Sequence, residues 1–204
     1  MSRIRFAILA SLIAFCPGCI LFSVEPLATP GNSAEDTRLL GTWEKISGKF
    51  ADNGRFVYDV AFANEVWTIS KQGKEPGSPL NIKTGSSSSA KLETARLSFI
   101  GDWLYLDFMV EIEEGVKKRK LYLFARAEFH GNYVILQHLD SEKLQKLLKE
   151  KPNVLKGYDQ HETSDGTLKS STKDLREFFR EYGDSVFIRS VVLKRVVYGS
   201  PQQP

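Results

Sequence analysis

The chain has 204 residues, of which 42% are hydrophobic and 26% are charged. This composition is typical of one globular domain, and it excludes a largely disordered chain or a protein that crosses a membrane many times. The formal net charge is +3, and two of the basic residues, Arg3 and Arg5, lie in a segment that we expect to be removed. A nearly neutral mature chain gives no electrostatic reason to expect a nucleic acid partner.

The first residues have the pattern of an export signal. Arg3 and Arg5 precede a run of apolar or small side chains at residues 6–15. A helix of about ten residues spans about 15 Å, which is half of the roughly 30 Å hydrocarbon core of a bilayer. We therefore predict a cleavable signal peptide over residues 1–18 and no membrane-spanning helix in this segment.

The sequence Cys16-Pro17-Gly18-Cys19 follows, and it resembles the lipobox of bacterial lipoproteins, in which a cysteine after a small residue is lipidated and becomes the new N-terminus. The resemblance implies a lipid on Cys19, export, and attachment to the cell membrane or the outer membrane. The alternative is a plain signal-peptidase site at which both cysteines are incidental. Because the chain has no other cysteine, a lipidated mature protein would have no free thiol and no disulfide.

Two later stretches have the composition of mobile loops. Residues 22–36 contain prolines among small and acidic side chains, and we predict that residues 19–37 comprise the lipidated cysteine and a flexible tether. Residues 71–90 contain prolines, glycines and a serine run, which predicts a flexible insertion between two strands. The rest of the chain, residues 38–199, is predicted to form a single β-rich domain.

About eight strands are predicted from the alternation of apolar and polar residues. The clearest covers residues 103–112, in which Leu104 and every second residue after it would form a dry face. Tight turns are expected at Gly101-Asp102 and at His130-Gly131-Asn132. Consecutive antiparallel strands favour an up-and-down meander that curls or closes, because closure removes unpaired edges. The other predicted strands cover residues 42–50, 55–62, 66–70, 97–100, 120–129, 133–139 and 186–198.

Two short amphipathic helices interrupt the strands. One follows Asp140 or Ser141 and ends before Pro152. The other is capped by Ser171 and is expected to end at Gly183. Their apolar stripes predict that both helices cover one face or one end of the sheet.

The sequence Leu40-Gly41-Thr42-Trp43, at the start of the first predicted strand, resembles the Gly-x-Trp motif of lipocalins. In that family the tryptophan packs at the closed end of an eight-stranded barrel, against a basic side chain from near the end of the chain. The resemblance implies that Arg189 or Arg195 supplies that side chain here. Together with the strand pattern, it favours a mainly β fold with two short helices, either a lipocalin-like barrel or a strongly curled sheet.

No motif predicts a catalytic residue, a metal site or a cofactor. His130 and His138 are separated by a turn, and His161 lacks the second histidine that a His-Glu-x-x-His zinc site needs. The polar residues 159–166 lack the spacing of a calcium loop. An envelope hydrolase with residues converging from separate strands is the alternative to a binding protein, and its only candidates are His138, His161 and Asp159.

Five aromatic residues are candidate ligand-binding residues, because those opposite the dry face could line a cavity for a small apolar ligand. Equally, they could form a second layer of core under the two helices. We therefore expect a membrane-anchored lipoprotein that acts as a non-catalytic binding module for a small apolar ligand or an envelope protein. The five residues are Trp67, Trp103, Tyr105, Tyr122 and Tyr133.

Overall fold

The computed structural model describes residues 21–48, 57–63, 66–71, 80–84, 88–114, 117–156 and 167–197. The predicted signal peptide and Cys19 lie outside these residues. Eleven strands form one mixed sheet, accompanied by two α-helices, which confirms the predicted mainly β class. The strands are β1 (Phe22–Ser23), β2 (Gly41–Gly48), β3 (Val57–Ala63), β4 (Val66–Lys71), β5 (Leu80–Thr84), β6 (Ser88–Ile100), β7 (Trp103–Glu114), β8 (Lys117–His130), β9 (Tyr133–Leu139), β10 (Thr167–Leu168) and β11 (Phe187–Arg195). The helices are α1 (Ser141–Glu150) and α2 (Thr172–Val186), and one turn of 3-10 helix covers Thr37–Leu39.

Strand pairing curls the sheet until its two sides meet. Following hydrogen-bonded neighbours from β8 through β7, β6, β4, β3, β2, β11 and β9 leads back to β8, which also pairs with β9. These eight strands are antiparallel to their neighbours, whereas β1 and β10 pair in parallel. Within the described residues, β4 meets β6 at one register pair only, Trp67 with Ala95. Of the two predicted architectures, the fold is therefore the strongly curled sheet and not an evenly closed barrel.

Alternating side chains divide the core into two clusters, one on each face of the curled sheet. Leu104 and the apolar residues at alternate positions after it point into the inner cluster, as the pattern of β7 predicted. The outer cluster lies between the sheet and the two helices, and Tyr105, Phe179 and Phe187 pack at its centre. Both faces of β7 are therefore buried where the helices cover it.

Both helices begin where their capping residues predicted. The carboxylate of Asp140 accepts a hydrogen bond from the backbone N–H of Lys143, and the hydroxyl of Ser171 accepts one from Asp174. The expected end of α2 at Gly183 is wrong, because the helix continues to Val186. Gly183 lies within the helix and allows α2 to pass close to Tyr105 on β7. A β-carbon at this position would lie 2.7 Å from the Tyr105 hydroxyl oxygen.

The predicted flexible tether over residues 19–37 is wrong for its described part, which begins at residue 21. Phe22 and Ser23 form β1, and Leu27 and Ala28 have no exposed surface. The prolines and small residues of this stretch are typical of loops, but they also fit an extended segment packed flat on a sheet. Further along, the predicted flexible insertion at residues 71–90 contains β5, which pairs with β6. Residue 71 ends β4 and residues 88–90 begin β6, while residues 72–79 and 85–87 lie outside the described residues.

Candidate anchoring segment and binding surfaces

The segment that follows Cys19 is bonded to the body of the domain. β1 pairs on one side with β8, through Ser23 and Tyr122, and on the other side with β10. The Phe22 side chain belongs to the inner cluster. Because β9 pairs with β8 only as far as the register pair of His138 with Ala125, β1 occupies the part of the β8 edge that β9 leaves unpaired. The strand that carries Phe22 therefore continues the sheet beside β8, next to the end of β9.

A buried carboxylate on the outer face of β7 holds the next part of this segment. Asp107 is 2% exposed, and its Oδ2 accepts a hydrogen bond of 2.6 Å from the backbone N–H of Ala28. Burial raises the pKa of Asp107 to about 7, although the N–H groups of Ala28 and Leu27 and the charges of Arg176 and Arg96 oppose the increase. This buried carboxyl group therefore fastens the segment to β7.

Helix α2 completes the fastening from the opposite side. The Arg176 guanidinium donates 3.0 Å to the carbonyl of Leu27 and 2.7 Å to the carbonyl of Phe99, at the end of β6. The hydroxyl of Thr172 donates 2.7 Å to the carbonyl of Pro26. Residues 26–28 are therefore bonded to α2 on one side and to β7 on the other.

The end of the sheet that carries the Gly-x-Trp sequence has the arrangement that the lipocalin resemblance implied. The Arg195 guanidinium lies 4.5 Å from the centroid of the Trp43 ring and donates hydrogen bonds to the carbonyls of Leu40 and Arg38. The indole N–H of Trp43 donates to the carbonyl of Leu39, 2.8 Å away. Of the two predicted arginines, Arg195 supplies the stack, and Arg189 is exposed on β11.

Gly41 is required in this motif for two reasons. Its φ of 112° lies in the region that side chains with a β-carbon rarely adopt. In addition, a β-carbon on Gly41 would lie 3.1 Å from Nη1 of Arg195. The glycine of the motif thus makes room for the arginine that covers the tryptophan.

A second arginine organises a polar row on the outer face of β8 and β9. Arg126 is 4% exposed, its guanidinium lies 3.8 Å from the centroid of the Trp103 ring, and its Nε donates 2.8 Å to Oε1 of Gln137. Its Nη1 is paired with the carboxylate of Asp184 on α2. Gln137 continues the row by donating to Glu128. This network ties the second helix to the sheet.

The four predicted ligand-binding residues whose side chains are described do not form one site. Tyr105 is fully buried in the outer cluster, and Trp103 and Tyr122 pack against that cluster, as the alternative of a second core layer predicted. Burial raises the pKa of Tyr105 to about 12. Tyr133 lies apart at the start of β9, where it is 38% exposed. Trp67 is in β4, paired with Phe62 and Ala95, but its side chain lies outside the described part of the structure.

The structure does not test the three candidates for a hydrolase together. His138 lies in β9, opposite Ala125 and Ile188, while His161 and Asp159 lie outside the described residues. No group of three or more His, Cys, Asp or Glu side chains suited to a metal ion occurs in the described ranges. Neither α1 nor α2 is long and apolar enough to cross a membrane.

Sequence reasoning missed Asp107, Arg126 and Arg176. These residues make polar contacts that join the sheet, helix α2 and the segment at residues 26–28. The available signal was a single charged residue within an apolar strand, such as Asp107 between Leu106 and Phe108. A charged side chain in that setting is buried only with a partner. Comparison of the chain with family models, curated proteins and solved structures found no match.

Proposed function

We propose that the protein is an exported lipoprotein, held at a membrane of the cell envelope by a lipid on Cys19, and that its domain is a non-catalytic binding module. The observation that carries the proposal is the lipobox-like Cys16-Pro17-Gly18-Cys19 after an apolar segment. The fold supports it, because Leu21 and Phe22, two and three positions after the proposed anchor, already pack against the domain. Diacylglyceryl and amide-linked acyl chains together hold a protein firmly, since each buried CH₂ contributes about 0.8 kcal/mol.

We favour a partner protein over a small apolar ligand. The described part of the inner cluster is filled by buried side chains, among them Leu97 in β6 and Leu193 in β11. Within the described residues, we therefore propose that recognition takes place at the outer surface of the domain.

No observation favours the hydrolase alternative enough to carry it forward. Asp107 has a raised pKa, but its side chain is enclosed and bonded to the backbone of Ala28. An acid-base group must reach its substrate directly or through one water. The one strongly perturbed carboxyl group in the described residues does not meet this condition.

Intact-mass analysis of protein purified from membranes tests the anchor. We expect a mature mass that begins at Cys19 and includes diacylglyceryl and acyl groups. In a Cys19→Ala variant the lipid and membrane retention should be lost together, whereas Cys16→Ala should keep both because Cys16 leaves with the signal peptide. An unmodified mass from the wild-type protein would overturn the proposal.

Thermal unfolding tests the choice between a partner protein and a small ligand. A ligand at a hundredfold excess over its Kd stabilises the folded protein by about 2.7 kcal/mol. We expect fatty acids and phospholipids to leave Tm unchanged, and crosslinking in intact membranes to yield a discrete protein adduct. A clear rise in Tm with an apolar compound would instead support a small-ligand site.

A further inference from the structure

The proposed anchor and the packed domain are separated by very little chain. Cys19 precedes Phe22, which is 8% exposed, by three positions. An extended chain spans at most about 3.6 Å per residue, so the two Cα atoms can be no more than roughly 11 Å apart. A tether extending through residue 37 would have allowed the domain to move several times farther from the bilayer.

The connection between Cys19 and the domain could lengthen only if residues 22–28 detached from the domain. To release residues 22–28, the domain must break the pairing of β1 with β8 and β10 and remove Phe22 from the inner cluster. It must also break the bonds from Asp107, Arg176 and Thr172 to residues 26–28. A lipid on Cys19 would therefore hold the folded domain close to the membrane surface.

The register of the strands shows which side of the domain the anchor leaves from. Both β1 and β9 run antiparallel to β8, so their residues can be counted against it. Ser23 is opposite Tyr122, and counting back two residues places Leu21 beside Phe124. His138 is opposite Ala125, and counting on one residue places Leu139, the last residue of β9, beside Phe124 as well. Helix α1 begins two residues later, and Leu21 packs against the outer cluster that the helices cover. The chain therefore emerges beside the start of α1.

The surface that α1 presents at this point is rich in lysine. Leu144 and Leu148 are buried in the outer cluster, so the opposite face of the helix is the one available to other surfaces. Between Ser141 and Lys156 there are five lysines and two glutamates. Lysine side chains near a membrane surface are attracted to anionic headgroups. The exposed lysines of this stretch are Lys143, Lys146, Lys149, Lys151 and Lys156.

We propose that the domain rests directly on the bilayer, with the exposed face of α1 against anionic phospholipid headgroups. This inference rests on the lipid anchor proposed above, and it adds the orientation and the surface that the anchor imposes. The charge of α1 and the short connection from Cys19 support the same orientation independently. Since β2 lies four strands from β7 in either direction around the sheet, its outer side should face away from the membrane.

Single labelled cysteines can measure this orientation, because the lipidated mature protein would have no other free thiol. Gln145 is exposed on α1 between the lysines, and Ile46 is 47% exposed on β2. Fluorophores on Gln145→Cys and Ile46→Cys would be compared in the lipidated mature protein, reconstituted into phosphatidylglycerol-containing vesicles that carry a headgroup quencher. We expect quenching severalfold stronger at position 145 than at position 46.

Two further variants distinguish the causes. Lys146→Glu with Lys149→Glu, in the Gln145→Cys background, should reduce quenching at position 145. A Gly-Ser insertion of about 12 residues after Cys19, with a root-mean-square span of roughly 20 Å, should reduce the difference between positions 145 and 46. Equal quenching at the two positions in a protein of lipidated mass would overturn this inference alone. A mass without lipid would overturn both this inference and the proposed function.

Discussion

The hydroxyl oxygen of Tyr105 lies 2.7 Å from the point where a β-carbon on Gly183 would be. Tyr105 has no exposed surface, and its ring packs against those of Phe179 and Phe187, with centroids 5.8 and 5.5 Å away. The tyrosine therefore cannot withdraw without disturbing the outer cluster. Gly183 allows α2 to pass close to β7 at this point.

We predict that Gly183→Ala destabilises the domain by about 1–3 kcal/mol, the usual cost of overpacking a core. Helix propensity alone predicts the opposite, a gain of about 1 kcal/mol. Urea unfolding of Gly183→Ala, Tyr105→Phe and the double variant would measure the coupling. We expect the double variant to lose less stability than the two single losses combined. A stabilising Gly183→Ala would contradict the close contact.

The free energy of unfolding should depend on pH through Asp107. Its pKa is about 7 in the folded protein, raised from an ordinary value of 3.8, so between these values the folded state binds more protons than the unfolded state. The contribution of Asp107 to stability is therefore fully present below about pH 4, and it falls as pH rises towards 7. The slope is at most about 1.4 kcal/mol per pH unit, and the contribution is constant at higher pH.

Asp107→Asn tests this dependence, because the amide keeps an oxygen that can accept from Ala28 and cannot ionise. Urea unfolding from pH 5 upward should show the variant gaining stability relative to the wild type as pH approaches 7. Glu25→Gln, a neutralised exposed carboxylate, is the matched control. A constant difference between the wild type and Asp107→Asn at every pH would show that Asp107 does not titrate in this range.

Arg195 should contribute to stability through its shape as well as its charge. Arg195→Ala removes the stack on Trp43 and leaves the carbonyls of Leu40 and Arg38 without this donor. We expect a loss of about 1–2 kcal/mol, because the stack on the ring and each of the partly exposed hydrogen bonds contribute about 0.5–1.5 kcal/mol. Arg195→Lys should recover less than half of it, since an ammonium group cannot donate as a planar fork. Urea unfolding checks both values, and Arg189→Ala, at an exposed position, should change little.

Arg126 should behave similarly at the join between the sheet and α2. Arg126→Lys keeps the charge but loses the planar stack on Trp103 and the fixed geometry toward Gln137 and Asp184. We predict a loss of about 1–2 kcal/mol, the range for a desolvated stack and a charge-assisted hydrogen bond. The tryptophan fluorescence of the folded protein should change as well. Unchanged stability together with unchanged fluorescence would mean that the network contributes nothing measurable.

The sequence pattern predicted both helices and eight of the eleven strands in the described residues, but it missed β1, β5 and β10. It also did not predict how the elements cover each other. The alternation from Leu104 onward predicted the inner face of β7 correctly. It could not predict that Tyr105 and Asp107, on the other face, are also buried, because the helix that covers them begins at Thr172. An alternation of apolar and polar residues shows only that one face of a strand is buried. Whether a helix covers the other face depends on contacts between residues far apart in the chain.

The tether and Gly183 were misread for a shared reason. Proline, glycine and small residues predict loops and helix ends through local backbone preferences. At Ala28 and at Gly183, small residues of these types serve close packing instead. For the candidate site, Arg195 stacks on Trp43, and it is one of the two arginines that the resemblance implied.

The position of Phe22 also constrains the order in which the chain can fold. Its strand pairs with Tyr122 through Ser23 and with Thr167 directly, so its neighbours are synthesised about a hundred and more residues later. Contacts that close such long stretches of chain are entropically costly and form slowly. The first described strand must therefore wait, unpaired, until nearly the whole domain has been synthesised. A chain that is exported N-terminus first would need its apolar Phe22 shielded throughout that interval.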